Sequence, residues 1–277
     1  MPDNKSNKEL AFLHDLFIAT DWSERFAELV DEHITLPEQG RALYVAAGTG
    51  SHAMALQERA GKDLKFLCVD ENEECLELAR AKAMTIRGPA EFRNGRPDEL
   101  GLRDDQFDLV VGDGSLVAPE RIPTMLSEMV RVAAPAATVA LLLPTSSSFG
   151  EFFSIYWEAL HNSGFVDHEA NVESLITELP TVSDVEELAA REGLEDVLSW
   201  TRIEEFDYDS GEEFLNSPLI SDFLMRGWLQ SIPDDARDSV SEEIARLIND
   251  ERHHAEFSLT VKATLVVGRK ANLPLVG

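Results

Sequence analysis

A chain of 277 residues, 44% hydrophobic and 27% charged, has a globular composition and room for one large domain or one domain with a sizeable insertion. Its 52 acidic against 24 basic residues give a net charge of −28, which repels phosphate backbones and argues against DNA or RNA as substrate. Cys68 and Cys75 alone make no disulfide framework and no cysteine metal cluster, and the longest apolar run, around 132–143, contains Pro135 and is too short to span a bilayer.

The opening MPDNKSNKEL is polar, without a signal-peptide core, so the expected compartment is the cytoplasm. Residues 8–35 repeat apolar positions at spacings of three and four and predict two helices, with Thr20-Asp21 as break and cap. A regular alternation follows: strand 42–46, helix 51–60 ended by Gly61, strand 64–69, helix 73–86 ended by Gly88-Pro89, and a short strand at 91–93. Strand 107–111, a helix from about 119 to 132 and strand 138–143, stopped by Pro144, continue it. Continuously apolar strands between helices mean a parallel sheet covered on both faces.

After Pro144 the rhythm changes. An aromatic-rich helix at 149–161 and an amphipathic helix at 182–193 precede a strand at 198–208 and a helical stretch from 212 to about 252, broken at Pro233. Between 151 and 256 there are 27 acidic residues, six arginines and no lysine, which reads as a solvated acidic surface. The strand 257–267 alternates apolar and polar residues, the mark of an antiparallel or edge strand with one wetter face. No metal-ligand spacing is readable.

The chemistry is expected at "ALYVAAGTGSHAMAL", residues 41–55, where a strand ends in a small-residue turn and a helix begins. Glycines 48 and 50 let a ligand approach the backbone and permit positive φ, and the helix N-terminus adds free N–H donors. Asp70 ends the next strand 20 residues on, where a carboxylate can accept both hydroxyls of a ribose. Read as G-x-G-x-x-A, residues 48–53 also match the dinucleotide fingerprint of an NAD-type oxidoreductase.

Taken over a longer span, the chain resembles the class I S-adenosylmethionine-dependent methyltransferases of the small-molecule type. "LYVAAGTGSHAMAL" is similar to their first motif, "VDENEECLELARAKA" to their second-strand acid and helix, and "NGRPDELGLRDDQFDLVVGDGSL" to their third- and fourth-strand region. "EMVRVAAPAATVALLLP" resembles the turn into strand five, with Ala136-Ala137 for the usual Gly-Gly, and "FSLTVKATLVVGRK" the reversed last strand. The resemblance implies a Rossmann-like, mostly parallel α/β sheet with a reversed last strand and helices on both faces. It implies an N-terminal helical cap at 1–38, the α/β domain at 39–145 and 182–270, and helical insertions or a lid at 146–181 and 209–256.

It further implies that Ala46, Ala47, Gly48, Thr49 and Gly50 lie against the methionine part of S-adenosylmethionine, and that Asp70 holds the ribose with Glu71 and Asn72 beside the adenine. Gly95, Arg96 and Pro97 edge the ring; Gly112 and Asp113 face the sulfonium and a small-molecule methyl acceptor, Asp113 as the acid touching that acceptor. Besides Ala136-Ala137, this sequence departs from the family at four places around the expected site. Tyr44 stands where an acid is usual, Ala46 replaces a glycine (tolerable at negative φ), Arg96 replaces an aspartate, and Pro97 has no N–H to offer. Losing three polar contacts weakens binding by roughly 10²- to 10³-fold unless a neighbour such as Asp98 takes over.

Methyl transfer needs a base only when the acceptor must lose a proton; His52, His161 and His253-His254 are the candidates, with His14 and His33 relevant if the N-terminal helices cap the site. Trp22, Phe152, Phe153, Tyr156, Trp157, Trp200 and Trp228 read mainly as core, a minority as lining for an apolar acceptor pocket, and residues 217–230 as a lid. The alternative from another class is a methyltransferase fold that has lost catalysis and serves as a binding or scaffold protein, in which Tyr44 and Arg96 close the pocket.

Overall fold

A computed structural model describes residues 5–60, 62–85, 90–165, 168–251 and 256–272. The described residues divide into two compact units, one of 5–143, 181–201 and 263–272, the other of 144–180 and 202–262.

The first unit opens with helices α1 (Asn7–Leu13) and α2 (Ser23–His33), joined by a π-helical segment, His14–Trp22. The expected break at Thr20-Asp21 is absent. Thr20 bonds back to the Leu16 carbonyl and Asp21 pairs with Arg25 one turn on, so both polar side chains are satisfied without ending the helix. The extra residue per turn keeps Ile18, Trp22, Phe26 and Val30 on one buried face.

Strands β1 (Gly40–Val45), β2 (Leu64–Asp70), β3 (Glu91–Asn94), β4 (Phe107–Asp113) and β5 (Ala133–Pro144) follow, with α3 (Ser51–Ala60), α4 (Glu73–Ala83) and α5 (Ile122–Val132) between them. β1 pairs in parallel with β2 and β4, β2 with β3, and β4 with β5. Leu43, Val45, Val110, Val139 and Leu141 on the sheet pack with Met125, Leu126 and Met129 of α5 in a closed core. Later come α8 (Val182–Arg191) and strands β6 (Leu194–Tyr208) and β7 (Phe257–Lys270), after α6 (Gly150–Asn162) and α7 (Glu169–Glu178). The sheet order is β3-β2-β1-β4-β5-β7-β6, mostly parallel, with the last strand antiparallel.

Three details differ from the sequence reading. β5 starts at Ala133, because Ala136 adopts φ +64° as a bulge, with a register shift against β4, where a turn was expected. β6 starts at Leu194: the acidic pair Glu195-Asp196 fits a strand that lies on the sheet edge. β7, antiparallel as expected, is internal to the sheet, and only its first half alternates in burial.

In the second unit, α6, α9 (Gly211–Asn216), α10 (Met225–Trp228) and α11 (Asp234–Glu251) surround an aromatic core. Phe152 stacks on Trp228 at 4.2 Å and packs on Tyr156 and Phe214, so these aromatics are core residues, as expected. Among the described residues no helix is long and apolar enough to cross a membrane.

Candidate functional site

The turn after β1 is built from backbone more than from side chains. Ala47 N–H donates to the Val69 carbonyl of β2, and Gly50 N–H to the Ala47 carbonyl, coiling 46–50 tightly at the carboxyl end of the sheet. Gly48 and Gly50 have φ +53° and +74°, the region glycine enters without a Cβ penalty. Ala46 is at φ +56°, so the condition under which alanine replaces glycine freely is not met. That residue carries local backbone strain of about 1 kcal/mol.

Asp70 ties this turn to the next strand. Its Oδ2 accepts the Gly48 N–H at 2.7 Å and its Oδ1 the Asn72 N–H at 2.8 Å. Burial pushes the carboxyl upward, while the two N–H bonds favour the ionised form. Each oxygen keeps a further lone pair for a ligand hydroxyl.

Above the turn lies a cavity of about 310 Å³. Its floor is Tyr44, Ala47–His52 and Asp113, and its roof comes from the N-terminal helices, through His14, Thr20, Glu24, Ala27, Glu28 and Asp31. No lysine or arginine lines it, against four carboxylates. His14 presses on the turn: a Cβ on Gly48 would overlap its ring. Burial lowers the His14 pKa to about 4, so the imidazole is neutral at pH 7.

Tyr44 does not leave a gap where an acid is usual. Its Oη lies 2.9 Å from His52 Nδ1, and His52 Nε2 lies 3.2 Å from Asp31 Oδ1, which also pairs with Arg59. Asp31 can only accept, so it takes the Nε2 proton and leaves Nδ1 to accept from Tyr44. The hydrogen bond from His52, with the Arg59 guanidinium alongside, holds the Asp31 carboxyl below its usual range. Burial, with Asp113 and Asp31 nearby, pushes the Tyr44 phenol far up, so it remains protonated. Asp113 accepts the Ser115 N–H at 2.9 Å, and Ser115 Oγ accepts from Trp22 Nε1 at 3.0 Å. Asp113 thus caps a turn and also lines the cavity; burial raises its pKa.

The residues expected beside the adenine are arranged differently. Asn72 spends its side-chain oxygen capping α4 through Glu74 and Cys75 N–H groups. Arg96 and Pro97 sit in a tight turn closed by an Arg96–Glu99 bridge, with Pro97 buried and Arg96 turned onto Asp98 at 2.8 Å. Arg121, in the turn Pro119–Arg121 after β4, spans two carboxylates. Nη1 and Nη2 meet both oxygens of Glu71 at 3.0 and 2.9 Å, and Nη2 and Nε meet those of Asp98 at 2.8 and 3.2 Å. Together Arg96 and Arg121 hold the Asp98 carboxyl far below the carboxylate range.

Gly112 is required by packing: a Cβ there would come within 2.6 Å of Met129 Sδ. His33 stacks on Trp200 at 4.3 Å, His161 sits exposed on α6, and His253-His254 lie outside the described residues. Sequence reasoning missed Arg121 and Asp31, whose partners are 21 to 50 residues away and leave no local spacing. Among the described residues no His, Cys, Asp or Glu group could hold a metal ion.

The profile of the methyltransferase domain family matches residues 42–136, the span that carries β1, the turn, Asp70 and Asp113. About a third of the chain, residues 42–136, is thus similar to a methyltransferase domain. Demethylmenaquinone methyltransferase of Staphylococcus aureus is 27% identical over 175 residues, covering 57% of this chain and 71% of that protein. Two solved structures share the fold of the methyltransferase domain. The YcgJ protein of Bacillus subtilis has a TM-score of 0.59 at 15% identity, over 90% of this chain and all of that one. Haemonchus contortus phosphoethanolamine N-methyltransferase 2, solved with phosphomonomethylethanolamine and S-adenosylhomocysteine, has a TM-score of 0.57 at 14% identity, over 98% of this chain and 59% of that one.

Proposed function

We propose that this methyltransferase domain binds S-adenosylmethionine and transfers its methyl group to a small molecule in the cytoplasm, without nucleic acid or membrane as partner. The observation that carries the reading is the turn 46–50, with its glycines at positive φ, tied by Gly48 N–H to Asp70 beneath a cavity of about 310 Å³. The residues suit the ligand. S-adenosylmethionine is cationic at its sulfonium and ammonium, and the cavity wall carries Glu24, Glu28, Asp31 and Asp113 and no lysine or arginine. Asp70 would hold the ribose hydroxyls and the backbone of 46–50 the methionine portion, with Glu71, Asn72, Arg96 and Pro97 around the adenine and Gly112 below.

When bound, the cofactor supplies an activated methyl group for in-line displacement. The chain contributes placement and exclusion of water through the roof of N-terminal helices, and a carboxylate, Asp113, whose raised pKa suits it to take a proton from an acceptor. His52, with both ring nitrogens engaged by Asp31 and Tyr44, orients the Tyr44 hydroxyl toward the same space. The reading as a binding protein without catalysis draws on one feature, the His14 ring seated against Gly48.

The test is transfer itself. Methyl-tritiated S-adenosylmethionine, incubated with the protein and a metabolite extract freed of protein and nucleic acid, is expected to label a small molecule. The label should drop by about 10²-fold or more with Asp113→Asn if Asp113 takes the proton. Label that stays on the cofactor in every extract, while binding is retained, favours the binding protein.

A further inference from the structure

The cavity opens over the turn, and an ion-pair bridge lies beside it at the ends of the strands. The cavity is lined from His14 to Asp113, and Glu71, Arg96 and Asp98 are not part of its wall. These residues sit at the carboxyl ends of β2 and β3, and Arg121 reaches them from the turn after β4. Its guanidinium bonds all four oxygens of Glu71 and Asp98. Both carboxylates facing the adenosine half therefore already hold strong donors, and a ligand amine or hydroxyl must compete with a bidentate, charge-assisted pair.

The two arms of this bridge are unequal. The Asp98 side chain is 13% exposed and is gripped by Arg96 as well. Glu71 is 49% exposed and is held by Arg121 through one fork. Ion pairs at such exposure contribute little net stability and are screened by salt, so the Glu71 arm is the one that releases.

We propose that Arg121 is a latch on the adenosine half of the cofactor cleft: its fork on Glu71 closes the site, and the cofactor binds the form in which that fork is open. This rests on the cofactor reading above and adds to it a residue that sets how readily the adenosine moiety enters. Asp98, still held by Arg96, keeps the loop after β3 in place when the Glu71 arm swings away.

S-adenosylhomocysteine is the probe, because it carries no net charge and long-range attraction to the acidic protein drops out. Its affinity is measured by calorimetry on the full chain, wild type and Arg121→Gln, across about 0.05 to 0.5 M potassium chloride. The variant is expected to bind roughly two- to fivefold tighter at low salt, the share of molecules freed from the closed form. Wild-type affinity should rise with salt toward the variant's, and the variant's should stay flat. Arg121→Lys keeps the charge but loses the fork, and should gain less in the same direction. Equal or weaker binding by Arg121→Gln overturns the latch and makes Arg121 part of the cofactor's own wall. No binding by wild type and both variants overturns the cofactor reading, and the latch with it.

Discussion

On the His14 side of the cleft the contacts nearest the turn are buried and mostly neutral: an imidazole on a glycine turn, a phenol on a second imidazole, an indole on a serine. The charged Asp31–Arg59 pair lies further out toward water. On the Asp98 side they are charged and close to water: Arg96 and Arg121 between Asp98 and Glu71. The difference teaches which side holds the fold and which can move. Buried contacts lose packing and solvation when broken, about 1–3 kcal/mol each, whereas exposed ion pairs exchange with water and salt at 0–1 kcal/mol or so. The His14 side is therefore expected to behave as scaffold and the Asp98 side as an adjustable edge.

The sharpest way to break this contrast is Gly48→Ala. The residue sits at φ +53° with the His14 ring where its methyl would go, so the substitution should cost about 2–4 kcal/mol in denaturant unfolding. His14→Ala should recover part of that loss in a double-mutant cycle. A loss below about 0.5 kcal/mol would mean that His14 does not rest on the turn.

Next in size is the pH dependence of stability from His14. Unfolded, the ring titrates near 6.5; folded, burial holds it near 4. Between these values the unfolded chain binds the extra proton, so the contribution is complete above pH 6.5 and is lost as pH falls toward 4, by roughly 3 kcal/mol. The difference in unfolding free energy between wild type and His14→Gln should therefore slope over that window and level off on either side.

A smaller effect is expected at Ala46. With φ +56°, Ala46→Gly should raise stability by about 0.5–1 kcal/mol, seen as a higher unfolding midpoint. Smallest is Arg121→Gln, which should change unfolding free energy by less than about 1 kcal/mol. A loss several times larger would move the Asp98 side into the scaffold class and erase the contrast.

Much of the fold is legible because its signals are local. The runs at 42–46, 64–69 and 107–111 are apolar on both faces, which only a doubly covered parallel sheet explains, and Gly48, Gly50 and Asp70 sit at fixed offsets from two of them. The misses are of another kind. Thr20-Asp21 has cap chemistry that is spent inside a continuous helix, and Ala46 accepts a strained φ that its identity argues against. Asp31, Arg121 and Asp98 act through pairs far apart in sequence, set by how the strand ends converge and by nothing in their own neighbourhoods. The framework of the site was readable, and the partners that tune it were not.

The central claim is that the turn 46–50 and Asp70 form a working S-adenosylmethionine site, and calorimetric titration of S-adenosylhomocysteine with NAD as control tests it most directly. Micromolar binding to the wild type, weakened about 10²-fold or more by Asp70→Ala, with no heat from NAD, is the expected result. Binding that is indifferent to Asp70→Ala, or absent at millimolar ligand, would contradict it.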